Sequence, residues 1–176
     1  MRRAESESDF TEEHSFLSRI ADLVNRVAET FLWLGFATLT ASVAMQIIAR
    51  NVLKIPMIWT ADLAQLCFTW VIFIGAAVGL RRGVHFTVEV LPMDRPAIRN
   101  TTFWISFAAG LIVTYLLIWH GWMLAQLRAS GEVQSLGISR FWMFFSFPVS
   151  GAIMLLFLIE AARDHCAQKP TDQGAE

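Results

Sequence analysis

The side chains able to do chemistry in this sequence are few: Asp62, His85, Glu89, His120, the adjacent Arg81 and Arg82, and the two cysteines Cys67 and Cys166. Asp62 follows Trp59 by three residues, and Arg50 is the nearest cation on the preceding segment. A carboxylate placed so is either neutralised by a counter-ion or serves as a proton or cation site, and one carboxylate beside one cation favours neutralisation. His85 and His120 could ligate haem only at a common depth, which their spacing opposes, so a histidine satisfied by its neighbours is the favoured reading of His120. Arg81-Arg82 closes an uncharged run, where cations suit a helix C-terminus and anionic lipid heads. Cys67 and Cys166 form no CxxC motif, and they read as a packed thiol and a tail thiol. There is no Gly-rich phosphate loop, no Ser/His/Asp set and no pair of carboxylates inside an apolar run. No catalytic, substrate-binding, metal or cofactor residues are expected, and the chain is not expected to be an enzyme.

The elements that carry these residues follow from the distribution of charge. Of 176 residues, 55% are hydrophobic and 16% charged, against roughly 45–50% and 25% in soluble domains. Thr30–Ala49, Leu63–Leu80, Phe103–Leu127 and Phe141–Ile159 contain no Asp, Glu, Lys or Arg. Each is near the roughly 17–25 apolar residues that cross a bilayer as a helix. The expected fold is an all-α integral membrane protein with spans at about 30–49, 59–80, 103–127 and 141–159. The net charge of −1 gives no reason to expect a nucleic-acid partner.

Acidic residues Glu5, Glu7, Asp9, Glu12 and Glu13 precede the first apolar run, unlike the basic start of a cleaved signal peptide. Arg2, Arg3, Arg19, Arg26, Arg81, Arg82, Arg95, Arg99, Arg163 and Lys169 fall on one side of a four-span chain, and Arg50, Lys54, Arg128 and Arg140 on the other. Because basic residues stay cytoplasmic, both termini are expected there. A cytoplasmic tail over 1–12, expected to be flexible, leads to a membrane domain over 13–160, and a second cytoplasmic tail covers 161–176.

Phe16, Leu17, Ile20, Leu23, Val24, Val27 and Phe31 recur at helical spacing with polar residues between them. This marks an amphipathic helix over 13–29, read as an interfacial arm in preference to an extension of span one. Thr11 is a candidate N-cap, with Glu12 and Glu13 in the first turn. The connection Arg50–Met57 makes spans one and two antiparallel neighbours, and Trp59 marks the outer interface. Val84, Phe86, Val88 and Val90 alternate with His85, Thr87 and Glu89, which predicts extended backbone up to Pro92, with a helix restarting near Asp94 and Pro96.

Helices associate in lipid through small residues that allow close backbone approach. Ala37-x-x-x-Ala41, Gly75-x-x-x-Gly79, Ser106-x-x-x-Gly110-x-x-x-Thr114 and Ser146-x-x-x-Ser150 supply such spacing on all four spans. Together they favour a tight bundle or docking against another membrane protein.

Gln46-Ile-Ile-Ala-Arg50-Asn-Val, Ile58-Trp59-Thr60-Ala61-Asp62-Leu63, Trp70-Val-Ile-Phe-Ile-Gly75-Ala76-Ala77 and Leu80-Arg81-Arg82-Gly83-Val-His85-Phe-Thr-Val-Glu89 occur in that order. With Leu136-Gly137-Ile138, Trp142 and Phe147-Pro148-Val149, this set resembles the DctQ-type small membrane subunit of tripartite ATP-independent periplasmic (TRAP) transporters over roughly residues 20–160. Ala61 replaces a frequent acidic residue, Glu89 a usual Asp, and Ser139 a common proline. The resemblance implies an accessory subunit of the bacterial inner membrane. It would pair with a large membrane subunit that holds the substrate and sodium sites, and act with a periplasmic binding protein that captures an organic acid such as a dicarboxylate or sugar acid. Arg50, Trp59 and Asp62 are then expected to fix the outer end. Arg81, Arg82, His85 and Glu89 would fix the cytoplasmic end or its contact with lipid and the large subunit, and Gly75, Gly79 and Pro148 are interface candidates. The alternatives are a redox subunit binding haem or quinone through His85 and His120, and a self-assembling small channel built on Gly75-x-x-x-Gly79.

Overall fold

A computed structural model describes residues 2–86 and 96–167, with side chains over 18–83 and 101–165. Four long helices carry the apolar runs: α1 (Arg2–Ile48), α2 (Ile58–Phe86), α3 (Pro96–Leu127) and α5 (Ser146–Ala167). A short helix α4 (Phe141–Phe144) precedes α5, so the fourth span candidate runs Phe141–His165. The others run Ser18–Leu53, Ile58–Gly83 and Thr101–Leu127. The four expected spans are therefore all present as helices long and apolar enough to cross a membrane.

Their order in space differs from their order in sequence. α1 packs on α2, α2 on α5, and α5 on α3, which gives an open row rather than a closed square. In α5, 33% of the most apolar stretch is buried inside the chain, against 6% in α1 and 11% in α3. The last span is thus inner, and the first and third are the edges.

The seam of α1 follows a strict period of seven. Ala21, Ala28, Gly35, Ser42 and Ala49 line it, with Asn25, Leu32, Leu39 and Gln46 alternating between them at steps of four and three. A repeat averaging 3.5 residues keeps one face on its neighbour from Ala21 to Ala49. Small residues at one position of each heptad let the backbones close up. A Cβ on Gly35 would lie 2.8 Å from Val71 Cγ2, and Leu32 Cδ2 lies 3.7 Å from where a Cβ on Gly75 would stand. Ala28, Ile74 and Val78 are buried together, with Leu32 and Trp70 packed against them.

This seam corrects one expectation and narrows another. Residues 13–29 do not form a separate arm, because α1 runs unbroken from Arg2 to Ile48. No Pro or Gly interrupts it before Gly35, and the heptad of span one starts at Ala21, inside the supposed arm. At about 1.5 Å per residue, such a helix far exceeds the roughly 30 Å of hydrocarbon. Ala37 and Ala41 are exposed on the opposite face, so of the two roles expected for that pair packing within the chain is excluded and docking against another membrane protein is the one left.

The α3–α5 contact is closer still. A Cβ on Gly121 would come 2.6 Å from Phe147 Cβ, one on Gly151 2.8 Å from Ile118 Cγ1, and one on Gly110 3.0 Å from Leu158 Cδ2. These pairs run in opposite chain directions, so α3 and α5 are antiparallel along their length. Of the stripe Ser106-x-x-x-Gly110-x-x-x-Thr114, Gly110 and Thr114 are buried here. Ser146 and Ser150 are also buried, each hydroxyl donating to a carbonyl of its own helix turn, Met143 O at 2.8 Å and Phe147 O at 2.9 Å.

The segment after Arg82 differs from its alternating pattern. Helix α2 continues through Val84, His85 and Phe86, because a helix already hydrogen-bonded from residue 58 extends more easily than an unpartnered strand forms. Residues 87–95, with Glu89 and Pro92, lie outside the described residues. Helix α3 begins at Pro96, where a missing N–H is harmless.

Candidate functional site

Polar side chains gather at the two ends of the row. One end carries the last turns of α2 and α5 and the start of α3. The other carries the α1–α2 turn and a small hairpin.

At the first end Arg81 joins three helices. Its Nε donates to Glu160 Oε2 at 3.0 Å and its Nη2 to Glu160 Oε1 at 2.7 Å, a two-pronged contact from α2 to α5. The same Nη2 donates to Asp22 Oδ1 on α1 at 2.7 Å. Its guanidinium also lies over the Phe157 ring, 5.1 Å from the centroid. The Arg81 and Glu160 side chains are only 16% and 12% exposed, whereas Asp22 is 60% exposed. A fork-shaped cation facing a carboxylate with most water excluded is the stronger kind of ion pair. Arg82, one residue on, points to the rim and donates to Glu29 Oε1 at 2.7 Å, which also accepts from Asn25 Nδ2 at 2.9 Å. That pair is largely in solvent, with exposures of 66% and 36%.

At the second end α1 finishes in a π-helical turn, Ala49–Leu53, capped by Lys54 in the left-handed conformation with φ 60°. Arg50 sits in that turn and is exposed. Among the described residues it makes no ion pair with Asp62, the pairing expected from sequence. Asp62 instead accepts a hydrogen bond from Ser135 Oγ in the third connection. The π turn swings Arg50 out to solvent, while the carboxylate faces the hairpin. That hairpin pairs β1 (Glu132–Val133) with β2 (Ile138–Ser139), and Gly137 adopts the φ of +64° that its turn needs. Ser139, at the position of the family's proline, ties the hairpin to its flanks. Its hydroxyl donates to Ala129 O at 2.7 Å and accepts from Phe141 N–H at 3.1 Å. Trp70 Nε1 donates to Trp142 O at 3.0 Å, fixing α2 to α4.

The remaining expected residues separate into those in contact and those facing outward. Gly75 faces Leu32, but Gly79 has no neighbour within 4 Å of where a Cβ would stand, so this pair does not form a joint within the chain. Pro148 lies in the first turn of α5, with its Cδ 3.3 Å from the Cβ position of Gly121. Trp59 is exposed, as an interfacial indole should be. His120 is exposed on α3 and meets Tyr115 edge-on at 6.5 Å, so it is not the packed histidine expected. Cys67 is a free, partly buried thiol. The side chains of His85, Glu89 and Cys166 lie outside those described. Among the described residues no group of three His, Cys, Asp or Glu side chains could hold a metal ion.

Glu160 and Asp22 were missed from sequence because they lie 79 and 59 positions from Arg81. A signal did exist: Glu160 directly ends the fourth uncharged run, and even-numbered spans end on the same side as Arg81.

A set of apolar helices held by polar ties at both ends is the architecture of a small multi-span membrane protein. A family model described as tripartite ATP-independent periplasmic transporters, DctQ component, matches residues 39–167. The chain belongs to this family. It is 28% identical over 145 residues to the sialic acid TRAP transporter small permease protein SiaQ of Vibrio cholerae, covering 82% of this chain and 84% of that one. It is 30% identical over 143 residues to the sialic acid TRAP transporter permease protein SiaT of Haemophilus influenzae, covering 78% of this chain but 23% of that one. It is also 24% identical over 111 residues to the C4-dicarboxylate TRAP transporter small permease protein DctQ of V. cholerae, covering 62% and 48%.

Proposed function

We propose that this chain is the small scaffold subunit of a binding-protein-dependent TRAP transporter that imports an organic acid across the bacterial inner membrane, driven by sodium. One observation carries the reading: the family match covers residues 39–167, from within the first span through the fourth, in a chain whose edge helices leave wide apolar faces uncovered. Trp33, Ile105, Ile112 and Trp119 are among the large side chains left bare on α1 and α3. A large membrane subunit covering such a face would hold the substrate and sodium sites. The similarity to a stretch forming 23% of a longer permease supports a place beside such a subunit. The relatives' names join sialic acid and C4-dicarboxylates, whose shared chemistry is the carboxylate. Arg81, Asp22 and Glu160 would keep α1, α2 and α5 in register as the partner moves substrate past them. The ten-to-four division of basic residues favours a cytoplasmic position for both termini.

No observation favours the haem or quinone reading, since His120 faces away from the other helices. Gly79 has no neighbour within the chain, so the self-assembling channel is separated from the scaffold reading by whether only copies of this chain co-purify with it. The test is deletion of this chain in its own host, with uptake of labelled sialic acid and succinate measured with and without sodium, and co-purification of the tagged chain in mild detergent. Loss of sodium-dependent uptake of one acid, with a large multi-span protein co-purifying, is expected. A chain that elutes alone and whose deletion leaves uptake of organic acids intact would overturn the reading.

A further inference from the structure

At the hairpin end a groove of about 470 Å³ opens between α2, the hairpin and α4. Ile58, Val133, Met143 and Phe144 give it an apolar side, and Asp62, Gln65, Gln134, Ser135, Arg128 and Arg140 a polar one. Ile58, Asp62 and Gln65 stand on one face of α2 at helical spacing, so the groove is built on a rigid element. Its two arginines differ from those at the opposite end. Arg81 and Arg82 are both paired, whereas neither guanidinium of Arg128 nor of Arg140 has an ion-pair or hydrogen-bond partner among the described residues. Both groups are exposed, and they stand directly after α3 and directly before α4, at the ends of the third and fourth apolar spans, where lipid headgroups begin.

We propose that this groove is a headgroup site for a phospholipid, with Arg128 and Arg140 holding the phosphodiester and the apolar side receiving the start of an acyl chain. Guanidinium forks match phosphate oxygens, and their attraction to lipid phosphate is strengthened beside hydrocarbon. Asp62 sets the preference among lipids. Its carboxylate lines the same groove as the two arginines and is held by Ser135, so it favours a headgroup whose ammonium lies next to its phosphate, and phosphatidylethanolamine is selected over phosphatidylglycerol. The inference uses the chain's place in a membrane but not its role in transport, and lipid retention is read without any uptake.

The test is native mass spectrometry of the full chain with the membrane proteins that co-purify with it, after delipidation and titration with phosphatidylethanolamine, phosphatidylglycerol or inorganic phosphate. The wild type is expected to retain phosphatidylethanolamine about tenfold better than phosphatidylglycerol. R128Q/R140Q should lower retention of both about tenfold. D62N should bring the two lipids to parity while overall retention persists, and its isosteric amide guards against misfolding. Equal lipid retention by wild type and R128Q/R140Q would overturn the proposal. So would displacement of lipid by millimolar inorganic phosphate, which would mark a free-anion site. Unchanged lipid retention with loss of binding-protein capture would instead make the groove a protein-docking site and likewise sink the lipid assignment.

Discussion

Arg81 and Arg82 are adjacent and chemically identical, yet their surroundings separate them. Arg81 is mostly buried between three helices and is held by two prongs from Glu160 and one bond to Asp22. Removing it strands the largely buried Glu160 carboxylate, and losing hydrogen bonds to charged groups typically costs about 1.5–3 kcal/mol each. R81Q is therefore expected to lower the melting temperature of the detergent-solubilised chain clearly. R82Q breaks a pair exposed to water and should cost about 0–1 kcal/mol. A thermal-shift comparison of the two, with R81Q/E160Q as the double variant, checks this. The double variant should fall less than the sum of R81Q and E160Q measured singly, because the first loss already removes the shared contact. Equal effects of R81Q and R82Q would show that burial is not what distinguishes them. Sequence marked both arginines as important and could not rank them, since rank depends on whether residues 59 and 79 positions away close over the guanidinium.

For the elements, the small residues sort into seams and open faces. Gly121 and Gly151 lie where α3 and α5 touch, and a methyl group at either would approach a neighbouring carbon to 2.6 and 2.8 Å. Over-packing of this kind typically costs about 1–3 kcal/mol. G121A and G151A are expected to lower thermal stability and the yield of folded protein. G79A has open space around it and should leave the stability of the chain unchanged. If G79A nonetheless weakens co-purification with a partner, its face is the one the partner covers; stability assays and pull-downs on the same samples separate the two effects. Helix identity and approximate length were legible in sequence, because they follow from uncharged runs measured against a bilayer. The choice of packed face was less so. Small-residue spacing occurs on every span, and Ala37 and Ala41 satisfy it while facing outward. The heptad Ala21, Ala28, Gly35, Ser42, Ala49 was present to be read, but a repeat crossing from a supposed arm into a span was divided by the boundary drawn between them.

At the scale of the whole molecule, orientation rests on the ten-to-four division of basic residues. With Cys67 and Cys166 replaced by serine, a cysteine introduced at Ser130 should react with a membrane-impermeant maleimide in intact spheroplasts. One introduced at Ser8 should react only after lysis. The reverse pattern would invert the assignment of both ends, and with it the leaflet of the proposed lipid. The open row also bears on stability. Apolar faces on α1 and α3 gain little by burial when the solvent is lipid, so close backbone packing and the polar ties at the ends carry the cohesion of the chain.

Composition and order alone determined that the chain has four runs long and apolar enough to cross a membrane and which family it resembles, because span length and charge exclusion are set by the bilayer and need no knowledge of neighbours. They also located the polar residues at the ends of the spans. Only the tertiary structure decided that the last span is inner and the third an edge, that Asp62 turns to Ser135 instead of Arg50, and that Glu160 completes the Arg81 cluster. Each of these depends on which helices lie side by side. Neighbours far apart in sequence are chosen by the fit of small residues against particular side chains, as Gly121 meets Phe147 and Gly151 meets Ile118, and such fit exists only once the helices have met.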